Sequence, residues 1–203
     1  VSTHEDQTRP RRRLSREERQ RQLLDTAWQL IREEGTDALS LGRLAEQAGV
    51  TKPVVYDHFG TRAGLLAALF MEFDARQTAA MDAALQASEE SLQGRAGVIA
   101  SSYVECVLLQ GREIPGVIAA LAGSPELESI KCGFESVFLE KCRNALVPFA
   151  GGNGVATAGL RAMLGAAEAL SHAAATGEIT PQEAQDELRE TIVAMVERSA
   201  QRG

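Results

Sequence analysis

The sequence predicts an all-α protein with an N-terminal three-helix head and a larger C-terminal helical body, and three observations carry that prediction. The composition is rich in Ala, Leu, Glu, Gln and Arg and has few β-branched runs, which favours helix. Helix-start signals recur, among them the capping boxes Ser15–Glu18 and Thr180–Glu183. Between Ser40 and Leu66 the run SLGRLAEQAGVTKPVVYDHFGTRAGLL encodes two short amphipathic helices joined by a turn at Gly49. No strand pattern competes anywhere.

The elements follow in order. Ser15 opens a first helix that runs to Gly35, with Leu24, Ala27, Trp28 and Ile31 as its apolar stripe. Ser40 caps a second helix, whose Leu41, Leu44, Ala45 and Ala48 repeat at helical spacing before Gly49. Thr51 caps a third, and Pro53 sits in its first turn, where a missing N–H costs nothing. A fourth helix starts at Thr61 and carries Leu66, Leu69, Phe70 and Phe73 on one face. Body helices are expected from about Gln93 to Gln110, from Ser124-Pro125 to about Val147, and, after a break at Pro148 and Gly151–Gly154, through an Ala-rich stretch to Thr176. Thr180-Pro181 opens the last helix.

Charge divides the same way. Net charge is −7, yet residues 1–66 hold eleven of the 21 basic and ten of the 28 acidic residues, leaving +1 there and −8 in the rest. An acidic body with a neutral-to-basic head suggests two surfaces, one of which meets a polyanion. Three widely spaced cysteines fit no disulfide framework, so a reducing, cytoplasmic setting is the expectation. Cys132 and Cys142, ten apart on one helix, stand about 15 Å from each other, beyond disulfide reach. No membrane span is expected, because the one long uncharged run, Asn144–Leu160, is interrupted by Pro148 and several glycines. The His and Cys residues show no metal-ligand spacing, and no cofactor motif appears.

The third helix carries the chemistry. Val55 and Phe59, four apart, point back onto the first two helices, so Lys52, Pro53, Val54 and Tyr56 face outward. A helix N-terminus presented to a major groove offers N–H groups and positive dipole to phosphate. Pro53 and Val54 can touch thymine methyls, and Lys52 can reach guanine O6/N7 or a phosphate. Tyr56 and His58 lie at the other end of the helix, where their polar tips can hydrogen-bond phosphates. Asp57 would repel phosphate unless it accepts from a cytosine amine or pairs with an Arg.

The block GTDALSLGRLAEQAGVTKPVVYDHFGTRAGLL (Gly35–Leu66), following a helix that carries Leu23, Leu24, Ala27 and Leu30, resembles the DNA-binding domain of the TetR family of transcriptional regulators. Its most specific part is Gly49 to Phe59, with the ending Tyr-x-His-Phe, followed by Thr61-Arg62 and Leu65. The resemblance implies phosphate contacts from Thr51, Tyr56, His58 and Arg62, and base contacts from Lys52, Pro53, Val54 and Arg43. Ser40, at the head of the second helix, belongs to the same DNA-facing set. Two positions depart from the family pattern: Gly42, where relatives carry a longer side chain, and Ala63, where an acidic residue is common. The implied organisation is a flexible basic arm over 1–13 (Arg9 to Arg13 at its end), a helix-turn-helix domain over 14–62, and an effector-binding and dimerisation body over 63–203.

Further implications of the resemblance are a homodimer through the last two helices, a palindromic double-stranded operator with half-sites spaced by about 34–36 Å, and a small-molecule effector. In the penultimate helix, Gly159, Ala162, Gly165, Ala166, Ala169 and Ala173 form a small-residue surface. In the last, Leu188, Ile192, Met195 and Val196 form an apolar stripe. The effector cavity implied between the body helices has Met71, Tyr103, Cys106, Phe134, Phe138 and His172 as candidate lining. Glu105 and Glu168 are carboxylates whose burial there would favour a cationic ligand. The expected function is a repressor released from its operator by the effector. The alternative is a helix-turn-helix protein that binds DNA constitutively or under a protein partner. Catalysis is not expected: no Ser/His/Asp grouping is present, and Gly151–Gly154 lacks the preceding strand and following Lys of a phosphate-binding loop.

Overall fold

A computed structural model describes residues 14–122 and 125–201. The expected arm over 1–13 and the Ser124 cap lie outside them. The described residues are helical with no strand, in the order α1 (Arg16–Glu34), α2 (Leu41–Ala48), α3 (Lys52–Phe59), α4 (Arg62–Ala87), α5 (Leu92–Glu113), α6 (Pro115–Leu121), α7 (Pro125–Leu146), α8 (Thr157–Thr176) and α9 (Pro181–Ala200). The chain divides into two compact units, one ending at Leu65 and the other beginning at Leu66.

Local sequence accounts for most boundaries. Ser15 Oγ accepts from the Glu18 N–H at 3.1 Å while Glu18 Oε2 accepts from the Ser15 N–H at 2.7 Å, so two orphan donors are satisfied reciprocally. Thr180 and Glu183 repeat the arrangement at α9 with the same distances. Gly49 ends α2 in the left-handed conformation (φ 64°), and the Val50 N–H donates to the Ala45 carbonyl at 3.0 Å. That terminator lets α3 leave at an angle, and only glycine adopts the conformation without steric cost. Thr61 Oγ1 accepts from the Gly64 N–H at 3.0 Å and caps α4. A Cβ on Gly64 would lie 2.2 Å from the Phe59 carbonyl oxygen, so no other residue fits where α4 starts over the end of α3.

In the head, the buried face of α1 is Leu23, Leu24, Ala27 and Leu30. Trp28 and Ile31, read as core from their spacing, are only half-buried. Leu41, Leu44 and Ala45 of α2 and Val55 and Phe59 of α3 complete the buried set around Leu39.

In the body, α5, α8 and α9 pack on one another, with α7 against α5 and α8. Gly159 of α8 lies so close to Met195 of α9 that a Cβ would meet its sulfur at 3.1 Å. Part of the small-residue surface is therefore used inside the protomer. So is the apolar stripe of α9, since Leu188, Ile192, Met195 and Val196 are all buried in the body core. Ala162, Gly165 and Ala169 of α8 remain exposed.

Helix α6 has no counterpart in the sequence reading. Its signal is Pro115 in the first turn after Ile114, with Val117 and Leu121 buried four apart. A segment of seven residues is too short for periodicity to announce itself. The three cysteines are free thiols.

Candidate nucleic-acid interface and effector cavity

The two buried residues of α3 set its outer face. With Val55 and Phe59 turned inward, Lys52, Pro53 and Tyr56 are exposed, Val54 is half-buried, and Tyr56 shows 54% of its surface. Thr51 occupies the N-cap position, but its hydroxyl makes no capping bond, which leaves it available to phosphate. The Lys52 side chain passes beside Gly42, where a Cβ would meet its Cε at an ordinary contact distance of 3.6 Å. The residue missing from the family pattern at 42 is thus matched by a lysine stem lying over the start of α2.

Ser40 Oγ accepts from the Arg43 N–H at 3.1 Å, so its hydroxyl works first as the cap of α2. Arg43 clasps Glu34 through two nitrogens, at 2.5 and 3.3 Å, and sits 3.8 Å from Glu46. This hydrogen-bonded pairing holds the Glu34 carboxyl below its ordinary range. The pair is open to water and correspondingly weak, so a base or phosphate can take its place.

Asp57 resolves the repulsion it poses by pairing with Arg16 of α1 at 2.9 Å, while Arg16 also donates to the Asp57 carbonyl at 3.2 Å. His58 beside it is half-buried, and burial first, then the Arg16 charge, pushes its pKa below the usual value. A neutral imidazole still donates one N–H to a phosphate oxygen.

Arg62 departs most from expectation. Its Nε donates to the Leu39 carbonyl and its Nη2 to the Thr36 carbonyl, both at 2.8 Å. The guanidinium, assigned to phosphate by resemblance, is bonded to the short turn between α1 and α2, where the Thr36 carbonyl also accepts from the Leu39 N–H at 3.2 Å.

The body holds a cavity of about 270 Å³ walled by α4, α5, α7 and α8. Four of the six candidate lining residues are there: Tyr103, Cys106, Phe134 and Phe138. Met71 and His172 are not; both are exposed on outward faces of α4 and α8. Glu105 is exposed away from the cavity and Glu168 is exposed at its wall, so neither is the buried acid on which the expectation of a cationic ligand rested. The acid that sequence reasoning missed is Asp74, at helical spacing from Phe70, Thr78 and Met81 on the cavity face of α4. Half-buried, its carboxyl is pushed above the ordinary Asp value by burial, partly offset by a hydrogen bond from Thr78. Burial likewise raises the Cys106 thiol to about 11, so it stays protonated and unreactive.

The Asp74 shift has a sign. Because the folded-state pKa exceeds the unfolded one, the charged carboxylate costs stability once pH rises through the folded value. Asp74→Asn is therefore expected to be more stable than the parent at neutral pH. Its advantage should shrink as pH falls toward the ordinary Asp value. Urea melts across that range check it; a variant less stable at neutral pH contradicts it.

Residues 23–69 match the family described as bacterial regulatory proteins, tetR family. A curated relative, the HTH-type transcriptional activator FasR of Mycolicibacterium smegmatis, is 40% identical over 57 residues, which is 28% of this chain and 26% of FasR. The match thus spans about a quarter of that relative's length. Over most of the chain the fold is shared with a Rhodococcus sp. protein assigned to the TetR family (TM-score 0.64, 22% identity, 88% of this chain and 99% of that one). It is shared too with the multidrug binding protein EbrR complexed with imidazole (TM-score 0.63, 19% identity, 94% and 97%). Such likeness in structure shows the fold alone; the head, matched in sequence as well, supplies the kinship. No helix among the described residues is long and apolar enough to cross a membrane. Residues 23–69 thus carry the head of tetR-family bacterial regulatory proteins, on a chain whose all-α fold is shared with TetR-family regulators of known structure.

Proposed function

We propose that the protein acts as a homodimeric repressor that holds a palindromic operator through α3 and lets go when a small molecule enters the body cavity. The observation that carries this reading is the coexistence of an exposed Lys52–Tyr56 face on the head with a cavity of about 270 Å³ in the body. A body that answered only to a protein partner has no use for a cavity lined by aromatic and hydrogen-bonding groups. Protein-partner control is accordingly the weaker reading. EbrR, with the same fold, is described as a multidrug binding protein. FasR is described as an activator, but its match is confined to the head and bears on DNA binding alone.

The dimer forms through the outer faces of α8 and α9, with Ala162, Gly165 and Ala169 as the surface of close approach. A two-fold dimer doubles the few base pairs that one helix reads. Thr51, Tyr56 and His58 hold phosphates, Lys52, Pro53 and Val54 read base edges, and Ser40 and Arg43 flank them from α2. Effector binding must favour a body conformation different from the one that favours DNA, and the coupling is reciprocal.

Selection of bound sequences from random duplex DNA tests the reading. An enriched palindrome is expected, and its absence sinks the operator. On that duplex Tyr56→Phe should weaken binding to all sequences alike, whereas Lys52→Ala should weaken binding and relax preference at one base pair. Loss of affinity with rising salt should accompany both.

A further inference from the structure

The cavity has a charge asymmetry that its aromatic walls make meaningful. Four ionisable side chains of fixed sign reach it: Asp74, Glu135, Glu168 and Lys141. Two are already answered. Lys141 pairs with Asp82, and Glu135 Oε2 lies 3.2 Å from Arg161 Nη1. Asp74 and Glu168 have no basic partner among the described residues. The remaining titratable wall groups do not balance them. Tyr103 is held protonated by burial and the nearby Glu168, and the Cys106 thiol by burial and Asp74.

Aromatic rings share the lining with these carboxylates. Phe70 and Phe134 stack with centroids 5.7 Å apart, and Tyr103 meets Phe138 at 5.1 Å. The π face of an aromatic ring attracts a cation, and the attraction grows as water is excluded. A carboxylate drawn partly out of water beside such rings is costly until a positive charge joins it. An anionic ligand meets repulsion from both carboxylates, and a neutral one leaves Asp74 uncompensated.

We propose that this cavity binds a small organic cation with an aromatic or comparably flat apolar portion, its charge set against Asp74 with Glu168 reinforcing the field, and its apolar part on Phe134 and Phe138. The size is consistent with a single-ring ligand, since about 270 Å³ falls just below the usual range of ligand pockets. The proposal rests on the reading of this cavity as the effector site and specifies its chemical class.

The test is calorimetric titration of the full chain with three probes of similar size: benzyltrimethylammonium, the neutral N,N-dimethylbenzamide, and phenylacetate. The cation is expected to bind at least about tenfold more tightly than the amide, a difference of about 1.4 kcal/mol, with phenylacetate weakest. Asp74→Asn should reduce cation affinity about tenfold and leave the amide unchanged, with a melting temperature no lower than the parent's. Glu168→Gln, at an exposed position where folding is not at stake, should reduce it by about two- to threefold. Amide or phenylacetate binding as tightly as the cation overturns the proposal. So does a cation that produces no binding heat, or one whose affinity ignores Asp74.

A parallel titration of the selected duplex, with and without saturating cation, separates this proposal from the effector reading beneath it. Asp74-dependent binding that leaves DNA affinity unchanged keeps the ligand class and defeats effector release. DNA release by phenylacetate but not by the cation does the reverse.

Discussion

Phe59→Ala is expected to destabilise the head by about 3–5 kcal/mol and to abolish operator binding, although Phe59 itself meets no DNA. Its ring is 8% exposed and, with Val55, supplies the whole buried face of α3. An eight-residue helix has little stability of its own, so its orientation depends on that face. Truncation leaves a cavity that the short helix can fill only by tilting, which turns the exposed Lys52 and Tyr56 away from the orientation proposed for DNA reading. Hydrogen exchange should locate the loss: amides of α2 and α3 lose protection while those of α8 and α9 keep it. Undiminished protection in α3 contradicts this account of how the reading face is held.

Arg62→Ala is expected to cost about 2–3 kcal/mol through loss of two charge-assisted hydrogen bonds, and to weaken DNA binding by loosening the turn before α2. Salt dependence separates this role from phosphate binding. A residue that neutralises a phosphate, when removed, lowers the slope of log affinity against log salt by about 1. A residue that braces the head lowers affinity and leaves the slope alone. The structure favours the second outcome, since both Nε and Nη2 are occupied by the Leu39 and Thr36 carbonyls. Arg62→Lys should rescue only part of the stability, because an ammonium lacks the planar fork that reaches two carbonyls at once. A slope reduced by a full unit, with stability intact, returns Arg62 to phosphate.

Much of the head was legible because its signals are local. A capping box closes within four residues, the left-handed turn at Gly49 needs one glycine, and the inward placement of Val55 and Phe59 follows from a spacing of four. The body was legible in its helices but less so in its faces. Tyr103, Cys106, Phe134 and Phe138 line the cavity, while Met71 and His172 of the same expected set face outward. An aromatic, sulfur or imidazole side chain on a helix whose neighbours are unknown can point either way. Asp74 escaped notice because a single acid inside an apolar stripe looks like an exposed residue until the partners of α4 are in place.

Amino-acid order alone determined that the described residues are helical, that Tyr-x-His-Phe closes the second helix of a helix-turn-helix, and that the acidic excess lies after residue 66. Those properties depend on residues within a turn or two of one another. Only the tertiary structure decided that Arg62 braces the turn between α1 and α2, that Asp57 is answered by Arg16, and that the α9 stripe is spent on the core of its own protomer. It alone brought Asp74 of α4 and Glu168 of α8 to one cavity. The reason is separation along the chain. Arg62 lies 26 residues from Thr36 and Arg16 lies 41 from Asp57, and no local periodicity records which distant groups a fold brings within hydrogen-bonding range.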